Sequence, residues 1–142
     1  MYDLKITDGD LAVRGDGNIT KIYGAERIVQ DLSCWILEPF NTDPMYSRFG
    51  STVWDMIGTT VTNDNLGQLK AEITRVVNNY YEYQQRQISQ AVGNGTFNYA
   101  FPNDEVIGSI DSIDVSAIAD SVSVVVKLTM ASGNQIAVEQ II

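Results

Sequence analysis

The chain has 142 residues, 44% apolar and 19% charged, enough for one folded domain with a core and too few for two. A net charge of −9 opposes binding to nucleic acid or to an anionic membrane, and the absence of histidine removes the commonest general base and zinc ligand. One cysteine, Cys34, excludes an internal disulfide, and no apolar run approaches the roughly 20 residues that span a bilayer.

The start, Met1-Tyr2-Asp3-Leu4, lacks the basic and apolar stretches of a secretory leader, which predicts a soluble chain folded in a cytoplasm. Leu4 and Ile6 precede Thr7-Asp8-Gly9-Asp10, and Leu11 and Val13 follow. Asp-Gly between alternating apolar runs predicts a hairpin, because glycine accepts the positive φ of a tight turn. A second turn at Gly15-Asp16-Gly17-Asn18 leads to Ile19 and Ile22.

A helix is predicted from Gly24, with Ala25, Ile28, Val29, Leu32 and Ile36 on one face and Trp35 at its border. Pro39 ends it, since the residue before a proline disfavours the helical region. Residues 38–50 read as a loop. A short second helix over 52–57 would turn Val53, Trp54 and Ile57 inward and stop at Gly58.

Leu66, Leu69, Ile73, Val76, Tyr80 and Tyr83 then recur at alternating spacings of three and four, a heptad seam. Thr62, Asn63 and Asp64 are N-cap candidates. The helix should run to Gln85 or beyond, long for so small a domain, so part of it is expected to pack on another chain. Gly93-Asn94-Gly95 and Pro102-Asn103 punctuate a linker. The last third is strand-like. Val106, Ile110, Ile113, Val115 and Ile118 come first, then Val122, Val124, Val126 and Leu128 in alternation. After a turn at Ser132-Gly133-Asn134, Ile136, Val138 and Gln140 form one face of a final strand, opposite Ala137, Glu139 and Ile141. The expected fold class is α+β: an N-terminal β-hairpin, two to three helices including the long one, and C-terminal antiparallel strands, in a single domain over 1–142.

The chemistry-bearing candidates are sparse. Asp8-Gly9-Asp10 starts like a calcium loop, but the twelfth position, which needs a glutamate, is Ile19, so it reads as a turn. Arg14-Gly15-Asp16 is an adhesion-type triplet lying in a predicted turn. Glu38 and Asp43 are the pair a glycosidase would require, yet no spacing fixes their separation. Cys34 reads as an inert thiol beside Trp35. No catalytic, cofactor or metal set emerges. Tyr80, Tyr81 and Tyr83 with Arg86 form an aromatic and cationic cluster of the kind that dominates protein interfaces. The last strand is either a central strand or a potential edge; it carries neither proline nor a run of charge, and an unguarded edge invites pairing with another chain.

The order of features resembles the lysozyme-like wedge and sheath-initiator family of contractile phage tails, found also in tailocins and type VI secretion baseplates. The residues that carry the likeness are Asp8-Gly9-Asp10-Leu11 with Val13; Gly24-Ala25 with Ile28, Gln30 and Leu32; and Asp43-Pro44, Tyr46, Phe49-Gly50 and Ile57-Gly58. A long helix and C-terminal strands follow. Where the family commonly has Glu-Pro-Arg at the end of the long helix, this chain has Gln84-Gln85-Arg86, keeping only the arginine. The resemblance implies an assembly role without catalysis and without a cofactor, in the tail baseplate of a virion built in a host bacterial cytoplasm. Other baseplate wedge proteins would dock on Tyr80, Tyr83, Gln84, Gln85 and Arg86. The tail sheath protein would add a strand along Ile136, Ala137, Val138, Glu139, Gln140 and Ile141. Tail tube or hub proteins are further candidate partners; nucleic acid and membrane are not. The alternatives are a neck or tube adaptor of a phage particle and a muramidase-type glycosidase using Glu38 and Asp43.

Overall fold

A computed structural model describes residues 2–96 and 101–142. The expected α+β architecture is present. Near the N-terminus, β1 (Asp3–Leu4) pairs with β4 (Lys21–Ile22), and β2 (Ile6–Thr7) pairs with β3 (Asp10–Leu11), all antiparallel. The turn between β2 and β3 falls at Asp8 and Gly9, with φ of 54° and 82°, the left-handed pair that a two-residue hairpin requires. At the second turn the Asp16 carboxylate accepts from the Asn18 backbone and side chain. These short strands form two nested antiparallel pairs separate from the C-terminal sheet. They are tied to the first helix by Gln30, which accepts from Ile6 N–H at 2.8 Å and donates to Leu4 O at 2.9 Å, and by the ion pair of Lys5 with Glu26 at 2.7 Å.

The first helix, α1 (Gly24–Leu37), buries Ile28, Leu32, Trp35 and Ile36, so Trp35 belongs to the apolar stripe it was expected to border. It ends before Pro39. The following loop folds back: Phe40 N–H donates to Ser51 O, and Ser51 N–H to Glu38 O. Gly50, at φ 86°, sits where a Cβ would lie 2.5 Å from Pro39 O. That position tolerates only glycine.

The expected short helix is a 3-10 turn over Val53–Met56. Its inward face needs correction. In a 3-10 helix, residues three apart eclipse, so Val53 and Met56 turn to the core, whereas Trp54 and Ile57 are more than half exposed. The Trp54 indole N–H donates to Leu37 O instead.

The long helix, α2 (Asn63–Gly93), has 31 residues and extends about 46 Å. Thr62 caps it, its side chain accepting from Asn65 N–H. The buried set is Leu69, Ile73, Val76, Val77, Tyr80, Gln84 and Ala91, with Leu66 and Tyr83 only partly covered. A straight helix drifts about 20° per heptad, so the inward stripe moves from the Tyr83 line to the Gln84 line. The stripe packs within the chain, against α1 and the sheet.

The sheet has the order β5 (Ile107–Ile118), β6 (Ser121–Met130), β7 (Gln135–Ile141), all antiparallel. Val124, Val126, Leu128, Met130, Val138 and Ile107 line its covered face. Two register irregularities, near Gly108 and Asp111, explain the uneven apolar spacing of β5. On β7 the expected two faces appear as read: Ile136, Val138 and Gln140 are covered, and Ala137, Glu139 and Ile141 are exposed.

Candidate docking surfaces

The open side of β7 is the first candidate. Among the described residues β7 pairs only with β6, so it forms one edge of the sheet. Val122 and Ile142 exchange both main-chain hydrogen bonds, each 2.9 Å. Such pairs alternate with pairs that turn their polar groups away. Through the continuous register Val124–Gln140, Val126–Val138 and Leu128–Ile136, the even-numbered residues therefore bond to β6. Ala137, Glu139 and Ile141 direct their N–H and C=O groups outward.

The two edges of the sheet differ. β5 carries two irregularities and two exposed aspartates, Asp111 and Asp114, features that discourage pairing. β7 has no register shift and one charged residue, Glu139. Beside it runs a groove of about 710 Å³, floored by α1 at Val29, Ser33 and Leu37 and walled by Lys5, Ile6, Asp8 and Trp54. The Gln140 amide reaches into the groove and donates to Ser33 Oγ at 2.7 Å.

The second candidate is the far half of α2. Tyr80 and Gln84 are buried within the chain itself. The Tyr80 ring stacks edge-on against Trp35, and its hydroxyl donates to Asp31 at 3.2 Å. Gln84 holds the backbone that leads into β5, donating to Glu105 O and accepting from Ile107 N–H. Both side chains are engaged inside the fold, which narrows the expected docking set to Tyr83, Gln85 and Arg86. Tyr83 is half-buried against Trp35 and Tyr46, and Gln87 donates to its hydroxyl. Arg86 projects into solvent, 3.6 Å from Glu82. Arg48 approaches the same glutamate at 3.8 Å, so Tyr46, Arg48, Tyr83 and Arg86 form one exposed aromatic and cationic face.

Sequence reading missed the polar cluster beneath Tyr80. Arg27 pairs with Asp31 at 3.4 Å and with buried Glu105 at 3.0 Å, while Glu105 also accepts from Gly24 N–H. Burial pushes the Asp31 carboxyl up to about 6, against the opposing pull of Arg27 and with help from nearby Asp3. Arg27 and Asp31 were legible as a helical pair four residues apart, but Glu105 is 78 residues from Arg27 and carries no local signal.

The pair considered for glycoside chemistry lies elsewhere. Glu38 is exposed just past α1, and Asp43 spends one oxygen on the N–H groups of Met45 and Tyr46. Burial raises the Cys34 thiol above its ordinary range. Among the described residues no cluster of three or more metal-ligating side chains occurs, and no helix is long and apolar enough to cross a membrane. No family model, no curated protein and no solved structure matches the chain.

Proposed function

We propose that the chain is a structural baseplate wedge subunit of a contractile tail, which docks on neighbouring wedge proteins and offers β7 as a template for the first ring of sheath. The observation that carries this reading is the β7 edge: a regular strand with three outward pairs of main-chain groups and a groove alongside it. An incoming strand satisfies those groups and gains a ladder of backbone hydrogen bonds, while its inward side chains enter the groove. The sheath protein is the proposed donor of that strand. The Tyr46–Arg48–Tyr83–Arg86 face is the proposed contact for other wedge proteins, with tube or hub proteins as further neighbours. The protein would then reside in the tail baseplate of a virion assembled in a bacterial cytoplasm. A neck or tube adaptor could use the same edge at the head end of a tail. A glycosidase acting through Glu38 and Asp43 has less support, since the Asp43 carboxylate is committed to capping a turn.

The test is a matched pair of prolines. Ala137→Pro removes an outward N–H and leaves the pairing with β6 in place; Val138→Pro removes an inward one. The first should fold normally yet fail to support sheath growth in cells making the whole particle, and the second should also lose stability. Normal sheath on Ala137→Pro particles would refute strand addition at this edge. Recovery of head-proximal proteins, rather than sheath and wedge proteins, with the N-terminally tagged chain would favour the adaptor.

A further inference from the structure

A second recess lies at the end of the molecule where the β5–β6 turn meets the start of α2. It has a volume of about 180 Å³ and is floored by Val53, Leu66, Leu69, Val122 and Ile142. Apolar surface continues at its mouth, where Ile57 is 52% exposed and Val61 41% exposed, beside the exposed Thr59 and Thr60. Cavities near 150 Å³ with such walls take a benzene-sized group. The recess is therefore sized for one large apolar side chain, and the exposed mouth continues the contact beyond it.

The surroundings are mainly acidic, with Lys70, next to Leu69, as the one cation adjoining a lining residue. Asp120 lines the recess, Asp55 precedes Met56, and Asp64 precedes Asn65. All three are exposed, and none is in an ion pair among the described residues. From Gly50 to Leu69, and again from Pro102 to Val126, the chain contains no lysine or arginine. A largely apolar recess with one carboxylate in its lining and two more beside lining residues, against a single lysine, selects against anionic ligands and favours a cationic partner.

We infer that this recess is a docking site for a segment of a partner protein that inserts one large apolar side chain between flanking lysines or arginines. The side chain gains burial against Val53, Leu66, Leu69 and Val122, and the flanking cations meet Asp55, Asp64 and Asp120. The site is separate from the open side of β7 and does not depend on what adds there.

The probes are the pentapeptide Lys-Lys-Phe-Lys-Lys, its Phe-to-Ala version, and Glu-Glu-Phe-Glu-Glu, titrated into the full chain at low salt and followed by methyl and amide NMR. The first should give saturable shifts at the methyls of Val53, Leu66, Val122 and Ile142. The alanine peptide should bind about tenfold more weakly or worse, because it leaves the recess empty. The glutamate peptide should not bind. Val61→Trp, which blocks the mouth, should abolish the response; if that variant misfolds, Asp120→Lys in the exposed turn should weaken it. The inference is overturned by equal binding of the Phe and Ala peptides, by shifts confined to β7 amides, by binding insensitive to both variants, or by no binding.

Discussion

Gln84, on the buried face of α2, holds the main chain on both sides of Val106: its amide donates to Glu105 O at 2.8 Å and accepts from Ile107 N–H at 2.9 Å. One side chain thus substitutes for a strand partner where β5 begins, and fixes how the sheet meets the helix. Truncating it withdraws a donor from a buried carbonyl and an acceptor from a buried amide. Gln84→Ala should cost about 2–6 kcal/mol, on the order of 1–3 kcal/mol for each of the two buried groups left without this partner. A urea titration by circular dichroism measures this, and a loss below about 1 kcal/mol would mean that water replaces both bonds.

Asp31 makes stability depend on pH in an unusual direction. Its folded value of about 6 lies above its ordinary 3.8. A raised carboxyl contributes stability that is fully present below the unfolded value and is lost as pH rises through the folded one. Asp31→Asn keeps the shape and an acceptor for Tyr80 without the charge. Its stability relative to wild type should be near zero at pH 4 and favour the variant by about 2 kcal/mol at pH 7.5. A difference that does not change between these pH values would show that the cluster holds Asp31 charged throughout.

The β5–β6 turn carries a local strain. Ala119 has φ of 50°, a region alanine enters at a cost and glycine enters freely. Ala119→Gly should therefore be neutral to stabilising, by up to about 1 kcal/mol, in contrast to the usual loss for this exchange. Thermal unfolding followed at two wavelengths would detect the change, and clear destabilisation would place Ala119 outside the left-handed region.

Gly50 presents the opposite case. A Cβ there meets Pro39 O at 2.5 Å and Glu38 O at 2.7 Å, both backbone atoms that cannot swing away. Gly50→Ala should open the loop that returns to Ser51 and cost about 2 kcal/mol or more. Retained stability with unchanged Trp54 fluorescence would contradict that close approach.

Arg86 tests the proposed wedge contact without disturbing the fold. It is 69% exposed and its only ion pair in the described structure is the surface contact with Glu82, of a kind worth under about 1 kcal/mol. Arg86→Ala should leave the unfolding midpoint unchanged within error and reduce incorporation into assembled baseplates. Normal incorporation would remove Arg86 from the docking surface.

The amino-acid sequence by itself determined the elements whose causes are local. The Asp8-Gly9 turn, the start of α1 at Gly24, its end before Pro39, a cap for α2 among Thr62, Asn63 and Asp64, and the alternation of β6 and β7 all follow from residues within a few positions of one another. Tertiary structure decided the rest. The seam of α2 was legible as apolar, but its facing partner was not: it packs on α1 and the sheet of its own chain, and helical drift carries the buried line to Gln84. The sequence left open whether β7 was central or an edge, because strand order depends on pairings between distant segments. Tyr80 and Tyr83 look alike in sequence, yet one is enclosed by Trp35 and Asp31 and the other reaches the surface. The Arg27–Glu105 pair and the recess between Val53, Leu66 and Val122 have no sequence signature, since each joins side chains whose separation along the chain is unrelated to their distance in space.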